Sequence, residues 1–506
     1  QMPNVELIQA RAPIVLAIDI GSSSIRCILY DAKGRQVNGS ECQLEHALTT
    51  NSEGAAEADP AALMTNVTAA ADHTIAFATS READIGAVAT SSFWHSLMGI
   101  DANNAPTTPV FTWADKRAGR EVVRLVEEFP VEKAVGATGC RIHSSYWPAK
   151  LRWLLNDRPG VVQRTKMWLS FTDYLTLSLT GTAVTSISMA SGTGLLAIDD
   201  LTWYAPMVAA AGISLDHLPP IIDRDQRLPD LLPAFQARWP ALANVPWYPA
   251  IGDGAAANVG SGCVGADRIA LTVGTSGAMR TIVPASERLP GTPPGQLWVY
   301  RLDREHSVIG GALSNGGNVT SWLADRFSDG DFQTLSAEAA KIAPDDHGMT
   351  VLPFLAGERS PSWDDEASGV FAGLKLATTP AEIYRATLEA TAYRFAAIYD
   401  DLCSVVRRDH EIHANGAAVL NSPLWLQIIS DVLGHSVDAL DAEAEASARG
   451  AAICALETIG AIPSLRPAAS DILRRYTSDA STRRAYEQGR ARQLNLEQAL
   501  RAWQAD

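Results

Sequence analysis

Two apolar patterns follow one another early in the chain. IVLAIDI (14–20) is an apolar run broken by a single acid, Asp19, and reads as a buried strand. SIRCILYD (24–31) alternates and reads as its partner across a tight Gly-Ser-Ser-Ser turn, with AKGR as the next turn. The same succession returns in RIALTVGTSGAMRTIV (268–283), which predicts strand, Gly-Thr-Ser-Gly turn, strand. Asp19-Ile20-Gly21-Ser22-Ser23 lies over Thr272-Val273-Gly274-Thr275-Ser276 without a gap. A hairpin opening each half predicts two similar domains, 12–262 and 263–506, each bringing a small-residue turn to a shared cleft.

Helical spacing dominates elsewhere. In TPAEIYRATLEATAYRFAAIYDDL (379–402), Thr379 is the expected N-cap, Pro380 the first helical residue and Glu382 the end of a capping box. Tyr384, Leu388, Phe395, Ile398 and Leu402 then share one face. SPLWLQIISDVLG (422–434) starts at Ser-Pro and stops at Gly434. Strands mixed with such helices give an α/β protein. GDGAAANVGSGCVGAD (252–267), packed with Gly and Ala, is the hinge candidate, preceded by the proline-rich stretches PPIIDRDQRLPDLLPAF and VPWYPA.

The length, 506 residues, suits two to four domains. A formal net charge of −16 argues against a nucleic-acid partner. The six cysteines are scattered, with no Cys-x-x-Cys pair, as expected of a reduced chain. No apolar run spans a bilayer, and QMPNVELIQARAP lacks the basic start and apolar stretch of a signal peptide. The expectation is a cytoplasmic protein without membrane partners. On that reading the Asn-x-Ser/Thr triplets at Asn38, Asn66 and Asn318 are chance matches.

The turns suggest chemistry. Backbone N–H groups of a tight Gly/Ser turn form an anion-binding concavity, and two facing turns suit a polyphosphate. Asp19 then fits beside a divalent cation such as Mg²⁺, with Arg26 adding positive charge. The plainer alternative is a hairpin whose serines cap its own turn. Asp253, between an apolar run and a small-residue helix, is either a base for a substrate hydroxyl or a helix N-cap. TSSFWHSLMGID (90–101) and FTWADKR (111–117) combine Trp94, His95, Trp113, Asp115 and Arg117. They suit a polyol face, or equally a core with an Asp115–Arg117 ion pair. There is no G-x-x-x-x-G-K-[ST]. GTGLLA (192–197) only mimics a dinucleotide turn. Ser276 in GTSGA is followed by strand, unlike a nucleophile elbow. The histidines lack metal-ligand spacing.

In this order the pieces resemble the FGGY family of carbohydrate kinases, from about residue 14 to about residue 490. AIDIGSSSIR looks like the family's first phosphate loop and TVGTSG like its second. GVFAGL (369–374), followed by Glu382-Ile383 and Ala386-Thr387-Leu388-Glu389, is similar to the C-terminal signature, and ANGAAVLNSPLWLQIISDVLG to the adenosine segment. The resemblance implies two ribonuclease H-like (actin-like ATPase) domains around a central cleft that holds ATP and Mg²⁺ and closes on sugar and nucleotide. It implies Asp253 as catalytic base and substrate contact, with Asp19 holding the metal. Ser22, Ser23, Arg26, Gly274, Thr275, Gly317 and Gly416 become nucleotide contacts, and either Leu420 or Asn421 holds a polar position beyond them. Trp94, His95, Trp113 and Asp115 line the sugar.

Two places depart from the family pattern: Asn415-Gly416 stands where a glycine pair is usual, and SSYWPAKLRWLLND meets the Lys-x-x-Trp signature only in part, leaving Tyr146 a weaker substrate candidate. WHSLMGID, TWADKR, TGCRIHSSYWPAKLRWL, SMASGTGL and GERSPSWD most resemble the gluconate kinase branch. That implies phosphorylation of D-gluconate to 6-phosphogluconate, with Arg117, Arg141 or His143 as cation for the carboxylate. Xylulose, ribulose or a glycerol-like polyol is the competing substrate, and a non-catalytic actin-like ATP sensor the competing class. Family members are commonly dimers or tetramers, so a homodimer is an expected assembly.

Overall fold

A computed structural model describes residues 4–288, 291–328, 330–440, 445–466 and 472–505. Its architecture follows from the pleat of the first strand, β1 (Ile14–Ile20), which is buried along its whole length. Ile14, Leu16, Ile18 and Ile20 enter one core with Leu63, Val67 and Ile75 of helix α1 (Pro60–Thr79). Val15 and Ala17 face the other way, onto Ala448, Ala451, Ala452 and Ala455 from the far end of the chain. Alternation therefore puts Asp19 on the face that meets the second domain.

β1 pairs antiparallel with β2 (Ser24–Tyr30), which pairs antiparallel with β3 (Cys42–Glu45). On its other side β1 runs parallel to β4 (Ile85–Ser92), and β4 to β5 (Ile251–Gly252). The sheet order is β5-β4-β1-β2-β3. The second sheet repeats this plan around β6 (Arg268–Val273), with β7 (Gly277–Pro284) antiparallel to it. It adds β8 (Trp298–Arg301), β9 (His306–Leu313), β10 (Glu411–Asn415), β11 (Val437–Leu440) and β12 (Ile472–Tyr476) in the order β8-β9-β7-β6-β10-β11-β12. Five central strands thus match, β1 with β6 and β4 with β10. This is the two-domain ribonuclease H-like, actin-like fold, and the paired hairpins are its internal repeat.

Helix α2 (Asp253–Gly260) and the alanine-rich helix near the C-terminal end, Ala446–Thr458, pack on one another between the sheets. A Cβ on Gly260 would overlap the Ala446 carbonyl oxygen, and one on Gly450 the Ala256 carbonyl oxygen. The first half of the expected hinge at 252–267 is therefore helix. Its small residues serve close helix approach rather than chain flexibility.

The helix α3 (Gly317–Phe327) follows β9, and α4 (Pro380–Leu402) carries the expected capping box of Thr379 and Glu382. The apolar stripe of α4 is buried, but so are Arg385, Glu389 and Arg394, because α7 (Arg483–Ala505) packs on its other side. Glu389 accepts from Arg385 Nε at 2.6 Å. Arg394 Nη1 donates to Glu497 on α7 at 2.7 Å. Thr379→Ala removes the cap and is expected to cost about 1 kcal/mol in a urea titration. α5 (Pro423–Leu433) has Ser422 as N-cap and ends at Gly434, with φ +63°. The Ala446–Thr458 helix is α6. All six cysteines are free. No helix among the described residues is long and apolar enough to cross a membrane.

Candidate active site

Each hairpin turn closes on itself through its glycine. Gly21 N–H donates to Ser24 O at 2.9 Å, and Gly274 N–H to Ser276 O at 3.0 Å. Ser23 and Thr275 are exposed at the two tips, with Ser22 half-buried beside the first. The second turn is seated on the start of α3: Gly317 N–H donates to Gly274 O at 2.8 Å and Asn318 N–H to Thr275 O at 3.0 Å. A Cβ on Gly317 would press on Gly274 O and on Ala418 Cβ. Gly416, at φ +94°, has no room for one against Val273 O. Gly317 and Gly416 thus leave no room for side chains around the second turn, whereas Gly274 at its start opens onto free space. Asn421 is exposed just beyond, whereas Leu420 packs on the C-terminal core, so the polar position falls to Asn421.

Two buried polar atoms at the ends of strands beside the turns lack partners among the described residues. Ser92 Oγ ends β4 and Asn415 Nδ2 ends β10. Bare turns, a helix N-terminus and unpartnered buried donors fit a polyphosphate ligand.

Asp19 sits between Arg26 on β2 and Ser91 on β4 in register. Ser91 Oγ donates to Asp19 Oδ1 at 2.7 Å, and Arg26 Nη1 lies 3.7 Å from Oδ2. Arg26 also reaches Glu445, just before α6, at 3.4 Å and so bridges the domains. Burial foremost, then Glu445 and Asp253, pushes the Asp19 carboxyl up to about 7. A carboxylate so weakly compensated fits a divalent cation.

Asp253 is the first residue of α2. The cap position belongs to Gly252, which has no side chain, so Asp253 is not the N-cap. Its Oδ1 accepts the adjacent Gly254 N–H at 2.7 Å. Burial raises its carboxyl above the usual range, while Arg280, the Gly254 amide, Arg359 and the Trp94 amide pull it back. Arg280, on β7, is buried and tethered: Nε donates to Asn258 Oδ1 at 3.1 Å and Nη2 to Thr272 Oγ1 at 3.0 Å. Asp19 on the first hairpin, Asp253 at the junction and Arg280 on the second hairpin therefore interact electrostatically across the cleft.

Trp94 is a wall of this site. Its Nε1–H donates to Ser188 O at 2.9 Å, and Cβ atoms on Gly192, Gly252 or Gly254 would overlap its ring. His95 takes φ +72°, and its Nδ1–H donates to Gly192 O. Burial, then Arg359, pushes its imidazole well below the ordinary range. A neutral ring protonated on Nδ1 leaves Nε2 as an acceptor for a substrate hydroxyl. His95 stands edge-on to Tyr146 at 5.0 Å, and Tyr146 Oη lies 2.6 Å from Tyr300 Oη on β8. Trp113 lies under the Arg359 guanidinium, 5.1 Å from it. N-terminal His95, Trp113 and Tyr146 thus face C-terminal Tyr300, Arg359 and Trp363 in one aromatic chamber.

Three expectations for polar contacts are corrected. Asp115 is 1% exposed, and its carboxylate is held by Arg117 and by the Ala56 N–H, which reaches it at 3.1 Å. It is a structural ion pair rather than a sugar contact, because a buried carboxylate needs its partner. Arg117 is bound in turn by Glu57 at 2.6 Å and is not free for a substrate carboxylate. His143 Nε2 lies 3.1 Å from Asp365. Arg141 is not so tied: its Nη2 donates to Gly295 O at 2.7 Å, but its buried Nε has no hydrogen-bond partner among the described residues. Arg280, Tyr300, Arg359 and Trp363 were not anticipated. The second turn is one residue shorter, since Ile20 pairs with Ile25 but Val273 with Gly277; the residue across from Thr272 is therefore Ala278, and Arg280, across from Ala270, is not the counterpart of Arg26.

Residues 14–260 match the FGGY family of carbohydrate kinases, N-terminal domain, and residues 269–458 its C-terminal domain. A gluconokinase of Bacillus subtilis (strain 168) is 30% identical over 476 residues, 91% of this chain and 90% of the relative. A solved ligand-bound xylulose kinase from Lactobacillus acidophilus has a TM-score of 0.88 at 25% identity, covering 97% of this chain and 98% of that one. A gluconate kinase from the same organism has a TM-score of 0.86 at 25% identity, covering 96% and 98%. With both halves matched and the hairpins, junction acid and aromatic chamber assembled around one cleft, this chain belongs to the FGGY family of carbohydrate kinases and is a phosphotransferase acting on a small sugar-like alcohol.

Proposed function

We propose that the chain transfers the terminal phosphoryl group of ATP to the primary hydroxyl of D-gluconate, giving 6-phosphogluconate and ADP. The hydroxyl proton passes to Asp253 as its oxygen attacks phosphorus. Ser22, Ser23, Arg26, Gly274, Thr275 and Gly317 hold the phosphates, with Gly416 and Asn421 at the adenosine. Asp19 is the residue to hold Mg²⁺, which when bound neutralises phosphate charge. His95 accepts a substrate hydroxyl, and Trp94, Trp113 and Tyr146 shape the chamber. Arg280, tethered beside Asp253, adds positive charge where the phosphoryl group is transferred. Most of the barrier is lowered by positioning and charge stabilisation.

The observation that carries this reading is Asp253 between Asp19 and Arg280 at the domain junction, facing an aromatic chamber. The 30% identical gluconokinase supports gluconate. A ketopentose is the second reading, favoured by the xylulose kinase with a TM-score of 0.88. Coupled ADP release over gluconate, xylulose, ribulose and glycerol separates them. Gluconate is expected to give the highest kcat/KM, and faster turnover of any neutral sugar overturns the assignment. The functional units are 12–262 and 263–506, and the working form is a cytoplasmic homodimer, which size-exclusion chromatography tests.

A further inference from the structure

The segment 356–365 belongs to the C-terminal domain but is fastened to the N-terminal one. Lys116 Nζ donates to Ala356 O near its start, and His143 meets Asp365 at its end. Between these points the chain is clamped from its own domain. Glu358 accepts two hydrogen bonds of 2.7 Å from Arg394, at Nε and Nη2. Ser360 N–H donates to Ala312 O at 2.9 Å, and Ala312 N–H to Ser360 Oγ at 3.1 Å. With residues 358 and 360 both drawn into the C-terminal domain, the residue between them projects the opposite way. That residue is Arg359, whose guanidinium lies over the Trp113 ring.

Arg359 has no carboxylate partner among the described residues, and its buried Nε has no hydrogen-bond acceptor. Asp253 and Arg280 feel its charge, but neither lies within ion-pair distance of it among the described residues. The other members of the chamber, His95, Trp113, Tyr146 and Tyr300, are neutral. A half-buried guanidinium fork over an aromatic face, its buried Nε left without an acceptor, is a site for a planar carboxylate.

We infer that Arg359 binds the carboxylate of an aldonate substrate and is the residue that selects a sugar acid over a neutral sugar. The inference rests on the proposed gluconate reading and deepens it. In gluconate the carboxylate and the reacting primary hydroxyl are at opposite ends of a six-carbon chain, so Arg359 holds one end while Asp253 meets the other. Because Arg359 comes from one domain and Trp113 from the other, binding the carboxylate also favours the closed cleft.

The test uses the full chain and measures kcat and KM by ADP release with gluconate and with glucitol, its neutral counterpart, in wild type, R359Q and R359K. Wild type is expected to prefer gluconate by about 100-fold or more in kcat/KM. R359Q loses about 100-fold with gluconate, chiefly through KM, and loses several-fold less with glucitol, so that the gluconate preference collapses; R359K falls between. The wild-type preference is read without any variant, so a folding defect does not shelter the idea. Equal use of the two polyols by wild type, or undiminished gluconate turnover in R359Q, overturns the role of Arg359 alone. No gluconate turnover by wild type, with ADP released on another sugar, overturns the substrate reading as well.

Discussion

Asp253→Asn is expected to lower kcat by about 10²- to 10⁴-fold while leaving the fold intact. The substitution keeps the size and the hydrogen bond to Gly254 but removes the proton acceptor. Its effect on stability separates a base from a structural carboxylate. Burial raises the Asp253 pKa, so the folded state holds its proton more tightly than the unfolded chain. Such a group lends stability at pH below its unfolded pKa, near 3.9, and that contribution is lost as pH rises through the raised folded value. At neutral pH the charged form is therefore a burden, and Asn at 253 should leave the melting temperature unchanged or slightly higher. An acid limb in kcat, falling as pH drops through a value above the usual aspartate range, should accompany wild type and vanish in the variant. Turnover within tenfold of wild type would remove Asp253 from the proton transfer.

Gly450→Ala is expected to destabilise the protein by about 2–4 kcal/mol. The added methyl would occupy the space of the Ala256 carbonyl oxygen, and backbone cannot step aside as a side chain can. The contact joins α6 to α2, and α2 begins with Asp253, so parting the helices also shifts the proposed base. Urea unfolding should show a lower midpoint, and kcat should fall more than KM for ATP rises. Gly434 is the control: its φ of +63° makes Ala there cost only about 1 kcal/mol, with nothing within 4 Å to strike. Equal losses at the two positions would mean that the crossing is not tight.

The hairpins, the capped helices and the junction acid were legible because each is written in a short stretch. A strand ending in Gly-Ser-Ser-Ser, a Thr-Pro-x-Glu start and a Ser-Pro start each fix local geometry through backbone hydrogen bonds. The ion pair of Asp115 and Arg117 was also written two residues apart, yet its meaning was not. Whether it faces a sugar or a core depends on Glu57 and the Ala56 amide, some sixty residues away. Arg359 shows the reverse case. GERSPSWD stood in the sequence without any sign that Glu358 turns toward Arg394 and leaves Arg359 over Trp113.

The amino-acid order by itself determined the two-fold plan, the anion-binding turns and the acid at the domain junction, because hydrogen bonding within a few residues and the period of the pleat decide them. Only the tertiary structure decided which cations are free. Charge pairing is settled between residues far apart in the chain, where burial makes every unpaired guanidinium or carboxylate find a partner or wait for one.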